Sequence, residues 1–153
     1  MQVGNPSQVA SPLNFRLDTV ADITSVPMSL AREVLALPDQ FTDDQVKDAL
    51  KSESKLQGHK PVKVVVANGA PLQAYPLTVP VEIVDKHGNV GEFEALIAFS
   101  EGQRVDRFLA GLSGFLDKFD LIMEPREFHL NARRHAGVNC PNSQGVGRAG
   151  SIP

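Results

Sequence analysis

Apolar and polar positions alternate with a period of two through the middle of the chain. Val79, Val81 and Ile83 share one face of a segment over 79–85, with Glu82 on the other. Over 90–99, Phe93, Ala95, Ile97 and Phe99 face one way, Glu92 and Glu94 the other. A strict period of two predicts half-buried strands, and Lys86-His87-Gly88-Asn89 between them predicts a turn. Residues 62–67, VKVVVA, are β-branched and predict a further strand. Asn68-Gly69 after it is the strongest short hairpin signal. The return segment carries Pro71, Pro76 and Pro80, so it is expected along an edge, or as a loop, until Val79. The three segments together predict an antiparallel meander with one wet face.

The helical period appears on either side of this block. Residues 28–37, MSLAREVLAL, place Leu30, Val34 and Leu37 on one face between Pro27 and Pro38. Phe41-Thr42-Asp43-Asp44-Gln45-Val46 is a complete helix start. Thr42 and Gln45 form a capping box, and Phe41 and Val46 a hydrophobic staple. Asp43 and Asp44 sit where the helix dipole favours negative charge, which accounts for them without a metal. Val46, Ala49, Leu50 and Leu56 predict the buried stripe, and Gly58 the stop. Farther on, Val105, Phe108, Leu109, Leu112, Phe115, Leu116 and Phe119 recur at helical spacing after Ser100-Glu101-Gly102-Gln103. This predicts an amphipathic helix over about 102–119. Gly111 and Gly114 fall on its other side, where close approach of another backbone, at a subunit contact, would explain them.

These elements predict an α+β fold. An antiparallel sheet of three to four strands (about 62–99) is covered by the 102–119 helix and preceded by two short N-terminal helices. Residues 1–20 and 136–153 lack patterning and are rich in Pro, Gly, Ser, Asn and Gln. They predict extended N- and C-terminal arms around one α+β domain over 21–135.

Charge modifies this picture in one place. Residues 1–123 hold eleven Lys/Arg against sixteen Asp/Glu, whereas 124–153 hold four against two. The acidic body and mildly basic tail suggest contacts between copies of the chain, with Arg126, Arg133 and Arg134 as the candidate interaction residues. The same arginines could meet nucleic-acid phosphate. The patch is sparse, however, and Phe128 is the only aromatic beside it, so nucleic acid is the weaker expectation. A single cysteine, Cys140, excludes an intrachain disulfide. No apolar run approaches the roughly 20 residues that span a bilayer, and the first residues lack a signal peptide's basic and apolar regions. The expected setting is a virion or the cytoplasm, with no membrane partner.

No motif carries convincing chemistry. Gly145, Gly147 and Gly150 match G-x-G-x-x-G as a string, but no strand precedes them and no helix can follow. His129, His135 and Cys140 have no common zinc spacing and lack a fourth ligand. Cys140, in Asn139-Cys140-Pro141, has no helix N-terminus to activate it. No catalytic residue, cofactor or metal site is therefore expected, and the chain is not read as an enzyme. A small core between polar arms predicts a structural subunit of a homo-oligomeric assembly, such as a phage virion head or tail component. Its partners would be copies of itself and other assembly proteins. The alternative is a small binding module for a peptide or nucleic acid.

Overall fold

The computed structural model describes residues 2–3, 14–18, 20–65, 70–84, 90–134, 136–139 and 148–149. Most of both predicted arms lies outside these residues. The described chain is built mainly of strands. They are β1 (Gln2–Val3), β2 (Arg16–Leu17), β3 (Thr24–Pro27), β4 (Val62–Val65), β5 (Pro71–Val84), β6 (Val90–Ser100), β7 (Leu109–Ala110), β8 (Phe119–Met123), β9 (Phe128–Ala132) and β10 (Arg148–Ala149). Two α-helices, α1 (Ala31–Val34) and α2 (Asp43–Leu56), stand between β3 and β4. The larger sheet runs β1-β5-β6-β3-β7-β2, with β4 also paired to β5. The smaller runs β10-β9-β8.

This corrects the predicted architecture. The sheet is larger than three or four strands, and it is mixed: β3 lies parallel to β6, and β2 parallel to β7. No helix covers it at 102–119. That segment contains turns, β7 and a short 3-10 turn at Leu116–Lys118. Three physical facts defeat the apparent helical period. Gly102 and Gly114 hold φ of 76° and 89°, which a right-handed helix cannot contain. Val105 and Leu112 of the supposed apolar stripe are exposed. Phe108 O, Ala110 O, Leu112 N and both backbone groups of Ser113 are bonded to residues 16–24, and Gly111 O and Leu112 O accept from Leu116 and Asp117, five residues on, rather than in a helix's i+4 pattern.

The period-two reading of 79–99 matches the burial. β5 and β6 pair with Val79 opposite Ala95 and Val81 opposite Phe93. Leu77, Val79, Val81, Ile83, Phe93, Ala95, Ile97 and Phe99 are all buried. The prolines behave differently from expectation. β5 is one continuous strand from Pro71, with all three prolines inside it. β4 partners only its residues 71–74, and β1 only 81–82, so among the described residues 75–80 has a strand neighbour on one side alone. Pro76 and Pro80 occupy that gap, where a missing N–H costs no ladder bond. Between them, the Gln57 side chain at the end of α2 stands in for a strand. Its Oε1 accepts from Thr78 N at 2.7 Å and its Nε2 donates to Thr78 O at 3.2 Å.

α2 begins as its capping box predicts. Thr42 Oγ1 accepts from Gln45 N at 3.3 Å, and Gln45 Oε1 accepts from Thr42 N at 2.8 Å. Val46 and Leu50 are buried on the sheet side with Ser54, while Leu56 is exposed, so the buried stripe ends a turn early. The predicted 28–37 helix is shorter, a 3-10 turn at Met28–Leu30 leading into α1. Phe93, Phe115 and Phe119 pack with centroids 5.4–6.0 Å apart where the two sheets meet.

An ion pair fastens α2 to the sheet. Lys47 Nζ lies 2.9 Å from Glu101 Oε1, and Tyr75 Oη donates to Glu101 Oε2 at 3.1 Å. The hydrogen bond from Lys47 holds the Glu101 carboxyl below its usual range, against a smaller opposing effect of burial. The same bond raises Lys47. A depressed carboxyl stabilises the fold above its unfolded value and loses that contribution as pH falls through its folded one. Glu101→Gln is therefore expected to lower stability at neutral pH by no more than about 1 kcal/mol, because the pair is a third exposed. The deficit should vanish in acid. Thermal unfolding of both proteins at several pH values checks this, and a deficit constant with pH would exclude the ion pair.

Candidate functional site

Two segments, 16–24 and 108–116, cross with their backbones hydrogen-bonded together and with Val20 and Leu112 exposed. Arg16 N donates to Phe108 O at 2.7 Å and Asp18 N to Ala110 O at 2.9 Å, which makes β2 and β7 a short parallel pair. The bonding then reverses direction. Leu112 N donates to Ala21 O at 2.9 Å, Ser113 N to Asp22 O at 2.9 Å and Thr24 N to Ser113 O at 3.1 Å. The buried Thr24 hydroxyl ties both loops, donating to Ser113 O at 3.0 Å and accepting from Gly111 N at 3.1 Å. Seven hydrogen bonds fix a segment that a surface loop would leave mobile, and fixed backbone is what a site requires.

Asp18 sits at the head of this crossing, half-buried. Its Oδ1 accepts from Val20 N at 3.0 Å and Ala21 N at 3.2 Å. The carboxylate is thus held by main-chain amides, while Val20 is 86% and Leu112 46% exposed beside it. A groove of about 680 Å³ opens at Arg16 and Leu17, immediately before Asp18. Phe15, Phe108, Phe128 and Met123 supply apolar wall, and Arg16, Arg104 and Arg107 the polar lining. Arg104 is paired with Asp106 at 3.0 Å.

The residues singled out from sequence are distributed differently. Gly111 and Gly114 do mark close backbone approach, but the approaching backbone belongs to the same chain. A Cβ on Gly111 would lie 2.2 Å from Ile23 O, and one on Gly114 2.2 Å from Leu96 O. Arg126 occupies the turn between β8 and β9, whereas Arg133 and Arg134 follow the far end of β9. That separation is on the order of 20 Å along a strand, so the three do not form one patch. Arg133 Nε is held at 3.0 Å from Asp120 Oδ1. The arginines that share a groove are instead Arg104 and Arg107 with Arg16, which is distant from them in sequence. His135, Cys140 and the glycines 145, 147 and 150 lie outside the described residues.

Among the described residues, one group brings three metal-ligand side chains together: Glu124, Glu127 and His129, with ligand atoms within 4.8 Å of one another. Sequence reasoning paired His129 with His135 and Cys140 instead. The missed signal was strand register, since Glu124 and His129 meet only if 119–123 and 128–132 are a hairpin. Asp18 was missed because an aspartate before a turn is common. Among the described residues, no helix is long and apolar enough to cross a membrane. Compared with protein families, curated proteins and solved structures, the chain shows no match.

Proposed function

We propose that the chain is a subunit of a homo-oligomer assembled through the crossing of loops 16–24 and 108–116. The observation that carries this reading is Val20, 86% exposed on a backbone that cannot retract it. Leu112 beside it extends the apolar surface. A rigid apolar knob suits contact with the same knob on a second copy about a two-fold axis, the commonest symmetry of oligomers. A structural role in a larger particle, such as a virion, would build on the same contact.

Light scattering on the full chain and on a Val20→Asp/Leu112→Asp variant tests the assembly. The expected result is a dimer or larger species for the parent chain and a folded monomer for the variant. A monomeric parent, or a variant that still assembles, would exclude this contact.

Asp18 favours a second reading. One carboxylate at the seam becomes two when copies meet there. Two carboxylates brought close cannot both ionise and hold one proton between them. Such a pair can activate a water as base and protonate a carbonyl oxygen as acid, and the neighbouring groove has room for side chains of an extended peptide. Hydrolysis of an unfolded protein substrate in mild acid, lost in Asp18→Asn, is the expected result under this reading. Absence of hydrolysis from an assembled parent chain would remove it and leave the assembly role standing.

A further inference from the structure

The β8–β9 hairpin gathers three ligand-type side chains on one face. Ile122 pairs with His129 and Met123 with Phe128, and Glu124 N donates to Glu127 O at 2.8 Å to close the turn. Because side chains alternate across a strand, residues 122 and 124 share a face with 127 and 129. Glu124, Glu127 and His129 therefore converge by register rather than by chance rotamers.

The distances within the group are informative. His129 Nε2 lies 3.4 Å from Glu124 Oε2 and 3.6 Å from Glu127 Oε1. Both exceed the length of a good N–H···O hydrogen bond, and one ring N–H cannot be directed at two carboxylates together. Zinc binds His nitrogen and carboxylate oxygen at about 2.0–2.2 Å in a tetrahedron, whose adjacent ligands are then about 3.3–3.6 Å apart. The two separations from His129 fall on that edge length, and the two carboxylates lie within 4.8 Å of each other. His129 is the least exposed of the three, with 21% of its side chain accessible against 51% and 36% for Glu124 and Glu127. The imidazole would form the base of the site and the carboxylates its outer walls.

We infer that Glu124, Glu127 and His129 form a binding site for a zinc-class divalent cation. The mixed nitrogen and oxygen donor set suits Zn²⁺ or Co²⁺ better than Ca²⁺ or Mg²⁺, which take oxygen alone. Two negative charges and a neutral imidazole neutralise the cation, and a fourth position faces solvent, open to water or to a donor from another molecule. The site is formed wholly within one hairpin and does not depend on the proposed assembly.

Titration of the metal-free full chain with Co²⁺ alone, followed by its visible ligand-field absorption and by calorimetry, tests the inference. One equivalent with a tetrahedral spectrum is expected, displaced by Zn²⁺. His129→Gln, Glu124→Gln and Glu127→Gln should each weaken binding on the order of tenfold or more, whereas His59→Gln should leave it unchanged. Circular dichroism verifies folding. Should His129→Gln misfold, the more exposed Glu124→Gln carries the test. No saturable binding would overturn the site. Binding unchanged in folded ligand variants would overturn it equally, by placing the metal elsewhere.

Discussion

Gly111→Ala is expected to cost more than about 4 kcal/mol, enough to leave much of the chain unfolded at room temperature. The added Cβ would stand 2.2 Å from Ile23 O, 2.6 Å from Ile23 C and 2.9 Å from Ala21 O. All three are backbone atoms, so no side chain can rotate away. Nor can the backbone withdraw cheaply. Ala21 O accepts from Leu112 N, and Thr24, next to Ile23, is bonded to Ser113 through both its N–H and its hydroxyl. A shift of about 1 Å to restore van der Waals distance would break several of these bonds together, each worth about 1 kcal/mol and more where a buried group is left unpaired. Gly58→Ala is the control. Gly58 has a φ of 82° but nothing within 4 Å of an added Cβ, so only backbone strain of about 1–2 kcal/mol is expected. Urea unfolding of the two variants makes the comparison. If Gly111→Ala costs no more than Gly58→Ala, the loops do not cross as described.

The same crossing explains what the sequence conveyed and what it concealed. Local signals were legible wherever they were sufficient. The Thr42–Gln45 capping box specifies the start of α2 through bonds that span three residues, and the alternation from Val79 to Phe99 specifies which side chains are buried. Contacts distant along the chain were not legible. The stretch 105–119 shows helical spacing because Phe108, which packs on Phe15, and Phe115 and Phe119, which pack on Phe93 and on each other, recur at intervals that mimic one helix face. The partners of Phe108 O, Ala110 O, Leu112 N and Ser113 lie some ninety positions away, at 16–24, and no local pattern can reveal them. Gly111 and Gly114 were the available warning. Two glycines within four residues are costly in a helix and economical where another backbone must pass close by. The Pro-containing strand β5 misled in the opposite direction. Pro76 and Pro80 argue against an interior strand unless one neighbour is absent, and that vacancy depends on where β4 ends and β1 begins. The Glu124–Glu127–His129 group shares this property, because it is assembled by the register of β8 and β9 rather than by spacing.

Phe115→Ala is expected to be the most destabilising truncation in the core, at about 3–5 kcal/mol. Phe115 is 1% exposed and touches both layers of the molecule. Its ring centroid lies 6.0 Å from Phe93 on β6 and 5.4 Å from Phe119 at the start of β8. Phe93 and Phe119 meet in turn at 5.5 Å, edge to face. Removing Phe115 therefore withdraws one side of a three-ring cluster, losing the area burial and the ring–ring terms of about 0.5–1.5 kcal/mol per pair. Collapse cannot fill the space easily. Phe93 is fixed in register opposite Val81, and Phe119 opposite Ala132. Phe115 also follows Gly114, whose φ of 89° and close approach to Leu96 O aim the chain into the core. For a chain of this length such a loss lowers the melting temperature by about 6–20 °C. Phe108→Ala is the informative comparison, because Phe108 lines the groove, is only partly buried and, among the described residues, has one ring partner, Phe15 at 5.4 Å. It should cost less than half as much. Equal losses at 108 and 115 would mean that the two sheets are not joined through the phenylalanine cluster, and that the groove wall is as much a part of the core as the seam between them.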